Sequence, residues 1–182
     1  TIGIVGKIGS GKSTLVNMLF RLYNVEDNTL FIDGYDIMHL PIRMVRDTIG
    51  YCPQDNFLFS DSIRNNIAFS NPDMSLEEVE KAAEFADVRS NIEEFKDKYE
   101  TLIGEKGVSL SGGQKQRISI ARAIVKDPKI LVLDDSVSAV DVKTEETILH
   151  NIQKNRKGKT TILIASRVST VKALDKIIVM ND

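Results

Sequence analysis

A single cysteine, Cys52, is the only thiol in this 182-residue chain, so no internal disulfide can form and a reducing compartment is expected. No apolar run approaches the roughly 20 residues needed to cross a bilayer. The N-terminus lacks the charged-then-apolar layout of a secretion signal. An excess of positive charge is missing too: the net charge is −2, which argues against a large basic footprint for nucleic acid. Internal repeats, low-complexity linkers and heptad series are all absent. Histidine is scarce, and His39 and His150 both read as surface residues. What is present is a hydrophobic content of 42%, enough for a core, at a length that suits one domain or a domain with a subdomain. Thr1-Ile2-Gly3-Ile4-Val5 already reads as strand, and Met180-Asn181-Asp182 follows just after another, the pattern expected of a piece of a longer polypeptide.

Thr1 to Val5 leads into a glycine loop. Leu15, Met18, Leu19 and Leu22 then fall at i, i+3, i+4 and i+7, one face of a predicted helix. Leu30 to Ile32, closed by Asp33-Gly34, reads as a strand entering a turn, and Thr48 to Tyr51 as a short strand stopped by Pro53. The middle of the chain turns helical. Ser75-Leu76-Glu77-Glu78 has the spacing of a capping box, and Leu76, Val79, Ala83 and Ala86 follow at helical intervals. Val88, Ile92, Phe95 and Tyr99 form a second stripe, and core packing accounts for both. After Asp127-Pro128 strands return: Ile130 to Asp134, Thr160 to Ile164 and Lys176 to Met180 are nearly continuous apolar runs. Strand–helix alternation with strands apolar on both faces predicts an α/β fold with a parallel sheet covered on both sides.

Gly6-Lys7-Ile8-Gly9-Ser10-Gly11-Lys12-Ser13 fits the G-x-x-x-x-G-K-[ST] phosphate loop, with a strand before it and an amphipathic helix after it. Glycines let the backbone curl so that several N–H groups converge on phosphate oxygens, and the helix N-terminus adds positive potential. Lys12 brings a mobile cation to the outer phosphates, and the Ser13 hydroxyl is a candidate magnesium ligand. Ile130-Leu131-Val132-Leu133-Asp134-Asp135 ends a buried strand in two carboxylates. Ligands of an open α/β sheet bind beyond the carboxyl ends of its strands, which places Asp134 to hold Mg2+, directly or through water. Capping of the following turn is the plainer alternative. Leu110-Ser111-Gly112-Gly113-Gln114 opens a helical pattern in which Ile118, Ala121 and Val125 share a face, so Ser111 to Gly113 sit at another anion-friendly N-terminus.

Phosphate loop, pentapeptide and acidic strand, in this order and spacing, resemble the ATP-binding domain of ABC transporters over nearly the whole chain. The resemblance implies an α/β P-loop NTPase (RecA-like) core of residues 1–59 and 127–182, a parallel sheet with an inserted α-helical subdomain at 60–126. It implies ATP and Mg2+ as cofactors: Gly6, Lys7, Ile8, Gly9, Ser10, Gly11, Lys12, Ser13 and Thr14 around the phosphates, and Ser13, Gln54 and Asp134 on the metal. Tyr51-Cys52-Pro53-Gln54 looks like the family's Q-loop, whose glutamine approaches the metal and γ-phosphate and senses the transport domain. Ser111, Gly112, Gly113 and Gln114 would close over ATP held by a second ABC ATP-binding domain, in a head-to-tail dimer. Gly104-Glu105-Lys106-Gly107 resembles the exporter X-loop, and Ser138-Ala139-Val140-Asp141 the D-loop that reaches across the dimer. The implied partners are that second domain and the transmembrane domain of an exporter, at the cytoplasmic face of the cell membrane, with no nucleic acid.

Two positions depart from the family pattern. Asp135 stands where efficient ABC ATPases carry a glutamate general base, and its side chain is shorter by about 1.5 Å. Misplacing a base by about 1 Å costs on the order of a hundredfold in rate, unless the backbone shifts and Asp135 works anyway. In Ile164-Ala165-Ser166-Arg167, Ser166 stands where the family places a histidine on the γ-phosphate; its hydroxyl is shorter and carries no charge. With Lys12, Ser13, Asp134 and the pentapeptide intact, the chain resembles the degenerate-site half of a heterodimeric ABC exporter, with Lys12, Gln54, Asp135 and Ser166 around a weakened catalytic centre. A second expectation is an ATP-dependent dimerisation module without hydrolysis. A third is a DNA-repair-type clamp, but those proteins insert a very long coiled coil where this chain has 97 residues between Lys12 and Leu110. The family's adenine-stacking aromatic would lie before Thr1, so ATP binding is expected to be weaker than in a longer chain.

Overall fold

In the computed structural model, which describes residues 1–104, 107–137 and 140–181, the chain opens with β1 (Ile2–Gly6), α1 (Lys12–Leu19) and a hairpin of β2 (Phe31–Ile32) and β3 (Tyr35–Asp36). It continues through α2 (Ile42–Thr48), β4 (Ile49–Cys52), α3 (Ile63–Ile67), α4 (Leu76–Phe85), α5 (Arg89–Glu93) and α6 (Gly112–Ile124). It closes with β5 (Ile130–Asp134), α7 (Val142–Asn155), β6 (Thr160–Ile164), α8 (Val168–Val171) and β7 (Lys176–Met180). Parallel strands need long crossovers, and here helices supply them: β4-β5-β6-β1-β7 form one sheet in that order, every pair parallel.

Side chains alternate across the sheet, so β1, β4, β5 and β6 each feed two cores, whereas the apolar run of β7, read from the sequence as covered on both faces, lies at the edge and is exposed. Ile4, Val132, Ile162 and Ile164 pack with Val16 of α1, Ile37 of the short turn after β3, and Val45 of α2. Val5, Leu131, Leu133 and Leu163 face the other way, onto Ile118 and Ala121 of α6, Ile148 and Ile152 of α7, and Val171 of α8. The second cluster runs on without a break into Ile63 and Ile67 of α3, Val79 of α4 and Ile92 of α5. The α/β parallel sheet expected from the strand–helix alternation is therefore present. No helix among the described residues is long and apolar enough to cross a membrane.

Two periodic stripes end sooner than their spacing suggested. The first helix stops at Leu19 because Arg21 adopts φ 51°, with the Arg21 N–H on the Met18 carbonyl and the Leu22 N–H on the Asn17 carbonyl. This is a Schellman closure without glycine, and it leaves Leu22 60% exposed rather than on the buried face, which centres on Val16. Asp87, at φ 56°, ends α4 in the same way, so the stripe from Val88 to Tyr99 is carried by α5 and a separate turn at Lys98–Glu100 rather than by one helix. Val88, Ile92 and Tyr99 are nonetheless buried. The Ser75 capping box forms as expected, with the Glu78 N–H on Ser75 Oγ and the Glu78 carboxylate on the Ser75 N–H. Asp33 and Gly34 both take positive φ, the turn that suits a two-residue hairpin.

Candidate functional site

A parallel sheet ends all its strands on one side, and residues 6–14, Gln54, Asp134, Asp135 and Ser166 lie at those ends or just beyond. Past β1, residues 7–11 curl, with the Ser10 N–H on the Lys7 carbonyl at 3.2 Å. Gly11 enters α1 at φ 87°, a conformation that a Cβ would strain. No side chain caps that helix, so its first N–H groups are left for a ligand or water. Lys12 folds back over the loop and donates to the Gly6 carbonyl at 2.8 Å and the Lys7 carbonyl at 2.7 Å. Ser10 Oγ is buried without a hydrogen-bond partner. Ile8 stands fully exposed at the loop tip, and Ser13 and Thr14 are exposed on the first turn of α1.

Asp134 ends β5 and is 4% exposed. Burial holds its carboxyl above the usual carboxylate range, against the opposing pull of hydrogen bonds from Ser13 and Tyr51. The Tyr51 hydroxyl lies 3.4 Å from Asp134 Oδ2, and its ring packs on Phe20 with centroids 4.8 Å apart. Burial and the Asp134 charge push the Tyr51 phenol up to about 12. In the sequence Tyr51 stands out as the end of a short strand and the lead-in to Gln54, not as a partner of Asp134. The available signal was a tyrosine inside a buried strand, whose hydroxyl needs a partner.

Asp135 follows at φ 47° and donates its N–H to the Ile164 carbonyl at 3.0 Å. Its Oδ1 accepts from the Ser166 N–H at 3.3 Å and the Ser166 hydroxyl at 3.2 Å. The two residues that depart from the family pattern thus hold each other. Next to them, Arg167 pairs with Glu145 of α7, a glutamate that is 7% exposed. Neither contact is visible in the sequence.

Cys52 pairs with Leu133 across the sheet, so Gln54 leaves β4 beside the Asp134 end of β5, exposed. Ser111 caps α6 in a second capping box: Ser111 Oγ accepts the Gln114 N–H at 3.2 Å, and Gln114 Oε1 accepts the Ser111 N–H at 2.9 Å. The S-x-x-Q spacing announces this box as clearly as S-x-x-E does at Ser75, so Gln114 has a structural role beside the ligand role its motif implies. Leu110 is buried as an anchor, while Ser111 and Gly112 face solvent and a Cβ on Gly112 or Gly113 would meet nothing within 4 Å. No hydrogen bond among the described residues joins this segment to residues 6–14. Asp141 caps α7 through the Thr144 N–H at 3.0 Å, which holds its carboxyl below the usual range. Ser138 and Ala139 of the D-loop-like segment, and Glu105 and Lys106 of the X-loop-like one, lie outside the described residues.

The donors fit MgATP. Uncapped amides, an orphan Ser10 hydroxyl and a lysine that donates to two neutral carbonyls suit phosphate oxygens. A buried carboxylate under-compensated by its neighbours suits a divalent ion shared with Ser13, and magnesium binds through one or two carboxylates plus phosphates.

The sequence profile described as ABC transporter matches residues 1–138. The chain is 47% identical over 181 residues to a Bacillus subtilis (strain 168) protein named probable multidrug resistance ABC transporter ATP-binding/permease protein YheI, covering 100% of this chain and 31% of that protein. It is 51% identical over 179 residues to leukotoxin translocation ATP-binding protein LktB of Mannheimia glucosida, covering 98% and 25%. The solved structure of a bacterial Atm1-family ABC exporter with ATP bound matches at a TM-score of 0.93 and 42% identity, over 99% of this chain and 32% of that one. The chain therefore spans about a quarter to a third of the length of these relatives.

Proposed function

This chain belongs to the ABC transporter family as an ATP-binding domain, and from that premise we propose that it binds MgATP, dimerises head-to-tail with a second such domain and drives export across a membrane, with slow hydrolysis at its own site. The observation that carries the nucleotide reading is the grouping of Lys12, Ser13 and Asp134 at the carboxyl ends of β1 and β5. In that reading Lys12 leaves the Gly6 and Lys7 carbonyls for the outer phosphates, the amides of residues 7–13 line the inner ones, and Ser13, Gln54 and Asp134 hold the metal. Bound MgATP supplies the phosphoryl bond whose hydrolysis is the reaction.

Asp135 occupies the general-base position. Its side chain is short, and Oδ1 is already held toward the end of β6 by Ser166. Both features limit its reach to a water. Exposed Ser111 and Gly112, with open space at Gly113, suit contact with the nucleotide of a second domain, and a heterodimer would place the efficient site on the partner. In this reading the domain works with the transmembrane domain of an exporter at the cytoplasmic membrane face; the permease part in the name of the Bacillus subtilis relative supports the first of these. We divide the chain into a core of 1–59 and 127–182 and a helical part of 60–126, the latter supported by the packing of α3, α4 and α5 around α6.

Asp135→Glu/Ser166→His tests the slow site. ATP turnover is expected to rise by about tenfold or more as the base regains its reach; equal turnover in the two proteins would remove the slow-site proposal. The Asp135–Ser166 contact also favours a second reading, a dimerisation module that does not hydrolyse. Labelled ATP held for hours beside a partner domain, with no phosphate released, is the outcome that selects it.

A further inference from the structure

Gln116 is fully buried in α6, two residues past the Ser111–Gln114 cap. A buried carboxamide costs free energy unless both of its ends find partners, and both ends of this one go to the same loop. Its Oε1 accepts a hydrogen bond from the Asn56 side chain. Its Nε2 is directed at the Cys52 sulfur, 4.0 Å away. Cys52 lies two residues before Gln54 and Asn56 two residues after it, so one side chain spans the stems of the loop that carries Gln54. Farther along the same helix, Arg122 donates to the Phe57 carbonyl at 2.8 Å and the Asn66 carbonyl at 2.7 Å, which continues the strap past the loop. Gln54 itself is exposed, so its stems set its position.

We propose that Gln116 is a positioning residue: by fixing residues 52 and 56 to α6 it presents Gln54 to the magnesium ion of bound nucleotide. The inference rests on the MgATP reading given above. It also links two parts of the site through one element, because the helix that steadies Gln54 is the one whose N-terminus bears Ser111, Gly112 and Gly113. A leucine of similar volume would fill the same space and hold neither stem.

The test is binding rather than turnover. The protein is titrated with a fluorescent ATP analogue in EDTA and again in excess Mg2+, for the unaltered chain, Gln116→Leu, Asn56→Ala, Gln54→Ala and Gln116→Leu/Gln54→Ala. Affinity without metal is expected to stay within about twofold in Gln116→Leu and Asn56→Ala, because the phosphate loop is elsewhere; this also reports that each variant is folded. The gain in affinity on adding magnesium is expected to fall about tenfold in both, the loss typical when a group that orients a metal ligand is removed. In the Gln54→Ala background Gln116→Leu should change that gain by less than about twofold, since the group it positions is gone, whereas a merely structural role would act equally in both backgrounds. Asn56→Ala breaks the same hydrogen bond from its partly exposed side and carries the test if Gln116→Leu does not fold. An unchanged magnesium gain, or an equal loss with and without Gln54, overturns the positioning role. Failure of the unaltered protein to bind the analogue under either condition overturns the MgATP reading, and this inference with it.

Discussion

At the scale of single residues, Asp134 sets binding against stability. Its carboxyl titrates above its ordinary value of 3.8 because burial outweighs the hydrogen bonds from Ser13 and Tyr51. The folded chain therefore keeps this proton to higher pH than the unfolded chain does. Stability contributed by the neutral carboxyl is full below 3.8, falls as pH rises through the raised folded value, and is absent above it. Asp134→Asn keeps the shape and an accepting oxygen, so at pH 7 without nucleotide it should melt about 2–4 °C higher. That advantage should shrink as the pH is lowered, and the same variant should lose the magnesium-dependent part of ATP binding. An unchanged melting temperature at pH 7 would mean that Ser13 and Tyr51 already compensate the charge. The phosphate loop and Asp134 were legible in the sequence because local spacing alone defines them. Tyr51 and Gln116 were not, because each takes its meaning from a partner 83 or 60 residues away. Asp135 and Ser166 were legible separately, but their contact, across 31 residues, was not.

Among the elements, α6 carries the most consequences. It bears a cap at Ser111, the loop strap at Gln116 and Arg122, and the packing against β4. That packing is close: a Cβ on Gly50 would meet the Ala123 carbonyl at 2.1 Å and the Pro128 ring at 2.6 Å. Gly50→Ala is expected to destabilise by about 3 kcal/mol in denaturant unfolding, because a strand and a helix backbone must part to admit it. A loss below about 1 kcal/mol would show that α6 slides without strain. The two capping boxes allow a milder comparison. Ser75→Ala and Ser111→Ala should each cost about 1 kcal/mol, and a clearly smaller loss at Ser111 would mean that its cap is strained in the free chain. Strands were readable from apolar runs, and so were the buried faces of β5 and β6; the run at Lys176 to Met180 also predicted burial, but β7 is an edge strand and stays exposed. The ends of α1 and α4 were not readable, since Arg21 and Asp87 close them in a left-handed conformation that ordinarily announces itself by glycine.

For the whole molecule, the sheet's edges decide how the isolated chain behaves. Among the described residues β7 pairs with β1 alone. Ile177 is 45% exposed, Ile178 43% and Val179 63%, so neither face of the strand is covered. A free strand edge with apolar side chains on both faces is a template for another chain. The 182-residue chain is therefore expected to self-associate without nucleotide at about 100 μM, visible by light scattering during gel filtration. Ile177 and Val179 share one face, and Ile177→Lys/Val179→Lys should return the chain to a monomer without touching residues 6–14 or 110–114. The proposed head-to-tail dimer has the opposite dependence: it needs MgATP and the Ser111–Gly113 surface, and it should survive the lysine pair. Measuring both proteins with and without MgATP separates the two associations. A nucleotide-free chain that stays monomeric at that concentration would show that twist or the flanking turns already shield β7. Association that MgATP promotes equally in both proteins would then belong to the nucleotide-bridged face.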